Sequence, residues 1–178
     1  MFSLPTTVEI DGRSYGIRAD FRVILEIFVM LDDPDLTDGD KTEALIRMFY
    51  IERPSDSEAA ITAFVSFADP RGSGNKEKPH TRLISWSQDF DLMVAPINHI
   101  LNTECRSLPY LHWRTFLAAY LEIPPESVFA RVLRIREKLR TGKKLEKYER
   151  TWYQKNRDLV HIKPKFSKAE EELIEAWT

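Results

Sequence analysis

Apolar residues recur every three or four positions along most of this chain, in segments separated by proline, glycine or clustered polar residues. Positions three and four apart lie on one face of a helix, so this spacing predicts a succession of amphipathic helices. The segments that carry it are 21–32, 43–51, 57–68, 87–101, 110–121, 127–140 and 145–159. We therefore predict a mainly α fold, with a single domain over residues 1–162 made of about six to seven helices.

The two ends of the chain carry other signals. Near the start, the short β-prone runs 7–10 and 14–17 flank Asp11-Gly12. Glycine tolerates the positive φ of a tight primed turn, so this arrangement predicts a small β-hairpin. Near the end, Ser167 and Glu170 have the spacing of a capping box, which predicts a tail helix over 167–177 within a C-terminal segment 163–178. A helix this short is marginal alone, so we expect it to dock on its own domain or on a partner.

Three local features qualify the helical pattern. Residues 69–82 combine prolines and glycines with scattered charges, which predicts a flexible loop. Pro96 lies inside the segment 87–101 and lacks a backbone donor, so we expect it to kink that helix or to mark its start. In the segment 127–140, the helical period predicts a buried stripe made of Val128, Val132, Ile135 and Leu139.

Composition limits the class of protein. With 178 residues, 43% of them hydrophobic and 30% charged, the chain can bury a core without disulfides or a structural metal. Cys105 is the one cysteine, and the N-terminus lacks the basic start and apolar run of a signal peptide, so we expect a reducing cytoplasm. The uncharged apolar stretches fall well short of the roughly 20 residues that span a membrane, so we expect no membrane partner.

Charge is strongly separated along the chain, although the net charge is only -2. Residues 20–69 contain twelve acidic and four basic residues, whereas residues 131–157 contain eleven basic and three acidic residues. Such separation fits a solvated face, a charge match between two halves of the molecule, or a head-to-tail assembly surface. The sequence does not choose among these three.

No residue pattern predicts catalysis, a cofactor or a metal. The loop 71–76 lacks both the glycine spacing and the Gly-Lys-Ser/Thr ending of a phosphate-binding loop. An EF-hand registered on Asp33 and Asp35 would place Asp38 at the obligatory glycine and Ala44 at the bidentate glutamate. The histidines have no i+4 partners and there is no second cysteine, so no zinc spacing exists. We therefore predict no catalytic, cofactor-binding or metal-binding residues, and a protein that is not an enzyme.

The basic segment 131–157 also contains aromatic residues, a combination that grips phosphates and stacks on bases in some nucleic-acid-binding proteins. Against that interpretation, the pI is about 6.1 and no nucleic-acid-binding motif is present. Tyr148 and Trp152 also lie four apart, where we expect a helix to bury them. A nucleic-acid partner is therefore the less favoured interpretation.

A series of short motifs between residues 83 and 157 resembles the bacteriophage Gp15 family. The series begins with an acidic-aromatic helix start, continues with a Leu-His-Trp-x-x-Phe core and ends with an Ile-Arg pair. Its residues are Asp89, Phe90, Asp91, Leu111, His112, Trp113, Phe116, Ile135 and Arg136. We expect these residues to be structural. The N-terminal hairpin and acidic helix agree with the family more loosely, and the segment from Lys163 onward has no counterpart in it.

The resemblance implies a phage tail assembly chaperone. Proteins of that kind bind the long helical tape-measure protein, keep it soluble, and leave as tail-tube subunits polymerise around it. It therefore implies the tape-measure and tail-tube proteins as partners, self-association of the chain, a location in the host cytoplasm, and absence from the mature virion. The alternatives are a structural tail or connector subunit of the virion and, less favoured, a DNA-associated packaging factor.

Two groups of residues are candidates for partner binding. Apolar residues of the tail helix could contact a helical client, and basic residues of the segment 131–147 could contact a client or a neighbouring copy. The first group is Leu173, Ile174 and Trp177, and the second is Arg131, Arg134, Arg140, Lys143, Lys144 and Lys147.

Overall fold

The computed structural model describes residues 3–69, 83–168 and 170. Over these residues the chain is mainly helical, with eight α-helices, one 3-10 turn and one two-stranded hairpin, which confirms the predicted fold class. The described residues form two compact units. Unit 1 contains 3–69, 110–114, 165–168 and 170, and unit 2 contains 83–109 and 115–164. The single domain over 1–162 stays a prediction.

The hairpin opens unit 1. Strand β1 (Thr7–Ile10) pairs antiparallel with β2 (Arg13–Gly16), with Ile10 opposite Arg13. Asp11 and Gly12 form the turn with φ of 50° and 77°, as a primed turn requires, so the hairpin prediction is confirmed.

Three helices follow in unit 1: α1 (Phe21–Leu31), α2 (Asp38–Phe49) and α3 (Ser57–Ala68). The start predicted for the second helix is wrong by five residues, because Thr37 and Asp40 form a capping box that opens α2 at Asp38. The first and third helices begin as predicted, each behind an aspartate N-cap. The predicted loop over 69–82 falls almost entirely outside the described residues.

The core of unit 1 is aromatic. Phe49 packs edge-on against Phe64 with the ring centroids 5.0 Å apart, and Phe28 packs edge-on against Trp113 at 5.8 Å. The Trp113 indole N–H donates to the Ala68 carbonyl at 3.0 Å. The interior of unit 1 is thus held together by apolar burial, whereas charged hydrogen bonds such as those from Arg18 to the carbonyls of Arg47 and Met48 lie at its surface.

Unit 2 contains α4 (Trp86–Leu101), the 3-10 turn Cys105–Ser107, α6 (Val128–Arg140), α7 (Lys147–Lys155) and α8 (Arg157–Val160). Helix α5 (Trp113–Leu121) begins in unit 1 and continues in unit 2. It starts three residues later than predicted, since His112 is still in an extended bridge with Asp20. The single helix predicted over 145–159 is two helices, α7 and α8, separated at Asn156.

Helix α4 runs through Pro96 without a break, so the start predicted there is wrong. Met93, Val94 and Ile97 are buried on either side of the proline. Their packing offsets the one backbone hydrogen bond that proline removes. The helix ends at Asn102, whose φ of 52° gives a left-handed cap.

The buried stripe predicted for α6 is half wrong. Val132 and Ile135 are buried, but Val128 and Leu139 are exposed. Phe129 and Arg136 take the buried positions instead. Arg136 is buried because it pairs with the buried carboxylate of Asp89. A prediction based on apolar residues alone assigns an arginine to the surface, so it misplaces the buried face of α6.

Candidate partner-binding surface

The main exposed aromatic surface of unit 2 lies on α7. A capping box between Glu146 and Glu149 begins this helix. Five residues spaced three and four apart then share one side, and they line a shallow depression of about 560 Å³. We call this surface the α7 face; it consists of Lys147, Tyr148, Thr151, Trp152 and Lys155.

The aromatic residues of the α7 face are accessible. Tyr148 is 65% exposed, so the expectation that the helix buries it is wrong. Trp152 is half-buried, and the Arg131 guanidinium lies 5.4 Å from the centroid of its ring. Stacking of this kind holds the indole in place while one side of it stays open.

Lysines bracket these aromatic rings. Lys147 and Lys155 lie eight residues apart, two turns of helix, with Thr151 between them. The Thr151 hydroxyl donates to the Lys147 carbonyl, so it is already satisfied within the helix. The surface therefore offers a partner apolar rings and positive charge.

The other predicted basic residues divide into two groups. Arg134 donates to the Pro125 carbonyl at 2.7 Å, and Arg140 pairs with Glu137 at 2.7 Å. Lys143 and Lys144 are exposed in the segment before α7. Within the described part of the chain, neither of these lysines nor Lys147 forms an ion pair. Leu173, Ile174 and Trp177 lie outside the described residues.

A buried ion pair anchors α7 to α6. The Lys138 ammonium lies 2.6 Å and 2.7 Å from the two carboxylate oxygens of Glu149, whose side chain is almost fully buried. Burial raises the pKa of Glu149, but the hydrogen bonds from Lys138 and from the Glu146 N–H outweigh it, and the net result is a lowered pKa. The carboxylate thus stays charged and fixes the α7 face on α6.

A second buried ion pair joins three helices of unit 2. Arg136 donates to both oxygens of Asp89, at 2.6 Å and 2.9 Å. The same guanidinium donates to the carbonyls of Leu159 and Val160 at 2.8 Å and 2.6 Å, and to that of Leu83 at 2.8 Å. One arginine therefore ties α4, α6 and α8 together.

The sequence model of the family described as Bacteriophage Gp15 protein matches residues 2–162. The chain belongs to the bacteriophage Gp15 family. The match extends well beyond the motif series at 83–157 and ends just before the segment 163–178. No curated protein and no solved structure matches this Gp15-family protein.

The motif residues of the Gp15-family protein occupy different environments. Leu111, His112 and Trp113 are buried in unit 1. In unit 2, Phe90 stacks on the buried Phe116 with centroids 6.5 Å apart. Also in unit 2, Asp89, Ile135 and Arg136 are buried, whereas Asp91 is exposed.

The ion pair between Asp89 and Arg136 is the feature that sequence reasoning missed. Both residues were recognised as parts of a motif, but they lie 47 positions apart and nothing local links them. Their joint presence in one motif series was the signal available. For Lys138 and Glu149 the sequence offers no comparable signal, because both lie in a segment dominated by exposed charge.

Metal sites and membrane-spanning helices were also searched for in the structure. Within residues 3–69, 83–168 and 170, no group of three or more His, Cys, Asp or Glu side chains is arranged to hold a metal ion. Over the same residues, no helix is both long enough and apolar enough to cross a membrane.

Proposed function

We propose that this Gp15-family protein is a phage tail assembly chaperone, which binds the tape-measure protein through the α7 face and keeps it soluble during tail morphogenesis. Family membership supports the broader role of a phage structural or morphogenesis protein. The observation that carries the finer role is the α7 face, where Tyr148 and the half-buried Trp152 lie between two lysines with no ion-pair partner in the described chain.

The chemistry of the α7 face suits an amphipathic helical client. A long helix with an apolar stripe aggregates unless that stripe is covered. Tyr148 and Trp152 provide large, rigid apolar contacts at low entropic cost. Lys147 and Lys155 favour client segments in which carboxylates flank the stripe. The composition of the α7 face therefore suits a client helix whose apolar stripe is flanked by acidic residues.

Small contacts of this kind become effective in many copies. A single depression of about 560 Å³ contacts only a short piece of a client. Micromolar binding, about -8 kcal/mol, is the affinity expected of such a contact. Copies that bind side by side, and that also contact one another, raise the effective concentration and hold the coat together. Tail-tube subunits then displace the copies one at a time.

The proposal includes neither bond making nor a cofactor. The protein acts in the host cytoplasm, associates with further copies of itself on the client, and leaves before the virion is complete. Its partners are the tape-measure protein and the tail-tube protein that replaces it.

Co-expression with the tape-measure protein of the same phage tests this function. The native mass of the soluble complex is the measurement. We expect one tape-measure chain with several copies of the Gp15-family protein, and an insoluble tape-measure protein when it is expressed alone. A tape-measure protein that stays in the pellet in both cases, with no complex at any ratio, contradicts the proposal.

Particle composition separates the chaperone from a structural subunit of the virion. We expect the protein to be missing from purified particles while it is present in infected cells. A fixed copy number in finished tails identifies a virion component instead and overturns the proposed role.

The exposure of Tyr148 also favours a DNA contact as a second candidate, because one reason for discounting nucleic acid was its expected burial. Duplex binding through Lys143, Lys144 and Lys147 would lose affinity steeply as salt rises. A titration of duplex DNA at two salt concentrations decides between the two candidates. We expect no saturable binding at physiological salt.

A further inference from the structure

A groove in unit 1 runs between the hairpin and α3. Its volume is about 680 Å³. Pro5, β1 and Asp11 of the turn form one wall, and the exposed side of α3 forms the other. None of its lining residues belongs to β2. The groove therefore follows the side of β1 that faces away from its partner strand.

That side of β1 is an unpaired sheet edge. The Ile17 N–H donates to the Thr6 carbonyl at 3.0 Å, so Thr6 and Ile17 are a hydrogen-bonded pair at the end of the ladder. Hydrogen-bonded pairs alternate along an antiparallel ladder. The backbone N–H and C=O groups of Thr7 and Glu9 therefore point to the free edge, and no described residue bonds to them.

The helical wall allows another backbone to come close. It presents the small side chains Ala59, Thr62, Ala63 and Ser66. The hydroxyls of Thr62 and Ser66 donate to carbonyls one turn earlier in α3, so these hydroxyls need no acceptor from a bound segment. An extended segment fits beside β1 without displacing large side chains.

The two ends of the groove differ in charge. The His112 Nε2–H donates to the Pro5 carbonyl at 2.9 Å, and the His112 ring lies 6.0 Å from that of Phe67, so the start of β1 lies beside the C-terminal end of α3. The hairpin turn consequently lies toward the N-terminal end of α3. Four carboxylates line the groove at this turn end, and within the described chain none of them forms an ion pair: Glu9, Asp11, Asp56 and Glu58.

Arg114 lies at the opposite end. Its guanidinium is 5.3 Å from the centroid of the Phe67 ring, and its buried Nε has no hydrogen-bond partner in the described chain. Burial lowers the pKa of this guanidinium. The Nε is closed to solvent and is not itself a ligand contact, but the Arg114 side chain lines the groove and makes this end positive.

We propose that this groove binds an extended, lysine- or arginine-rich segment of another protein as a third strand on the free edge of β1. Thr7 and Glu9 provide the backbone hydrogen bonds, the carboxylates at the turn end receive the basic side chains, and Arg114 binds a carbonyl of the segment. A second copy of the hairpin suits the edge poorly, because its β1 carries Glu9 and no lysine or arginine for the carboxylates of the groove to bind. This site is separate from the α7 face and does not depend on the chaperone role.

A capped heptapeptide of alternating lysine and valine is the probe, titrated into the full-length protein and followed by amide NMR and calorimetry. We expect saturable binding, with slowed hydrogen exchange at the Thr7 and Glu9 amides. The matched peptide with glutamate in place of lysine should bind at least about tenfold more weakly. Equal binding of the two peptides, or protection elsewhere in the chain, overturns the proposal.

Variants separate the backbone contribution from the charge contribution. Thr7→Pro removes an outward N–H without touching the β1–β2 ladder, whereas Thr7→Val keeps that N–H. We expect about a tenfold loss of peptide affinity for Thr7→Pro and less than about a twofold change for Thr7→Val, with the hairpin intact in both. Glu9→Gln should weaken the lysine peptide and leave Tm unchanged. Unchanged peptide affinity in Thr7→Pro excludes strand addition, and Tyr148→Ser should leave it intact whether or not the chaperone proposal holds.

Discussion

The two units of this protein bury different kinds of side chain. Unit 1 packs aromatic rings, with Phe49, Phe64 and Trp113 fully buried and the Trp113 indole N–H donating to a backbone carbonyl. Unit 2 buries the ion pair between Asp89 and Arg136 and uses it to join three helices. Apolar packing tolerates small changes of shape, whereas a buried ion pair requires both partners. We therefore expect the units to respond differently to substitution and to pH.

The largest effect should come from the aromatic core of unit 1. Trp113→Ala removes a fully buried ring and should lower the free energy of unfolding by about 3–5 kcal/mol. Val65→Ala on α3 is the control, because Val65 is 52% exposed. Chemical denaturation followed by circular dichroism measures both. A loss for Trp113→Ala no larger than that for Val65→Ala would show that the aromatic cluster is not the core.

The buried ion pair of unit 2 should come next. Arg136→Met leaves Asp89 buried without its partner and should cost about 3 kcal/mol. Arg140→Met, one turn further along α6, removes only the half-exposed pair with Glu137 and should cost about 0–1 kcal/mol. Equal losses for these two variants, in the same denaturation experiment, would remove the distinction between the units.

A smaller effect should depend on pH. Lys138→Met removes the partner of Glu149 and should cost about 1–2 kcal/mol at neutral pH. The pKa of Glu149 in the folded chain is lowered from 4.5, so the pair stabilises the protein fully above that value and loses its effect as pH falls through the folded pKa. Unfolding curves of wild type and Lys138→Met should therefore converge in acid. A difference that stays constant down to low pH would contradict this role for Glu149.

The sequence predicts unit 1 better than unit 2, because apolar packing leaves a periodic pattern in the sequence and a buried ion pair does not. In unit 1 the hairpin and the bounds of α3 follow from Asp11-Gly12 and from apolar period, because local turn chemistry and burial agree there. Even so, apolar spacing groups Val65 with the buried Phe64, yet Val65 is 52% exposed and Phe67 is buried instead. In unit 2 the buried side of α6 includes Arg136, which apolar period assigns to the surface.

The candidate partner surface shows the same limit. The sequence indicates that basic residues of 131–147 face a partner, but it does not separate the side chains of Arg134 and Arg140, which bond locally, from those of Lys143 and Lys147. The latter two form no ion pair within the described chain. That separation depends on which acceptors the fold brings within reach. The exposure of Tyr148 was missed because an aromatic pair at i,i+4 is more often buried.

The most direct test of the central claim, that the α7 face binds the client, compares two exposed tyrosines. Tyr148 of unit 2 is 65% exposed and Tyr110 of unit 1 is 53% exposed. The measurement is the Kd of each purified variant for a soluble amphipathic segment of the tape-measure protein. We predict that Tyr148→Ser raises this Kd at least about tenfold and that Tyr110→Ser changes it by less than about twofold. An unchanged Kd for Tyr148→Ser, or an equal rise for both variants, would contradict the account.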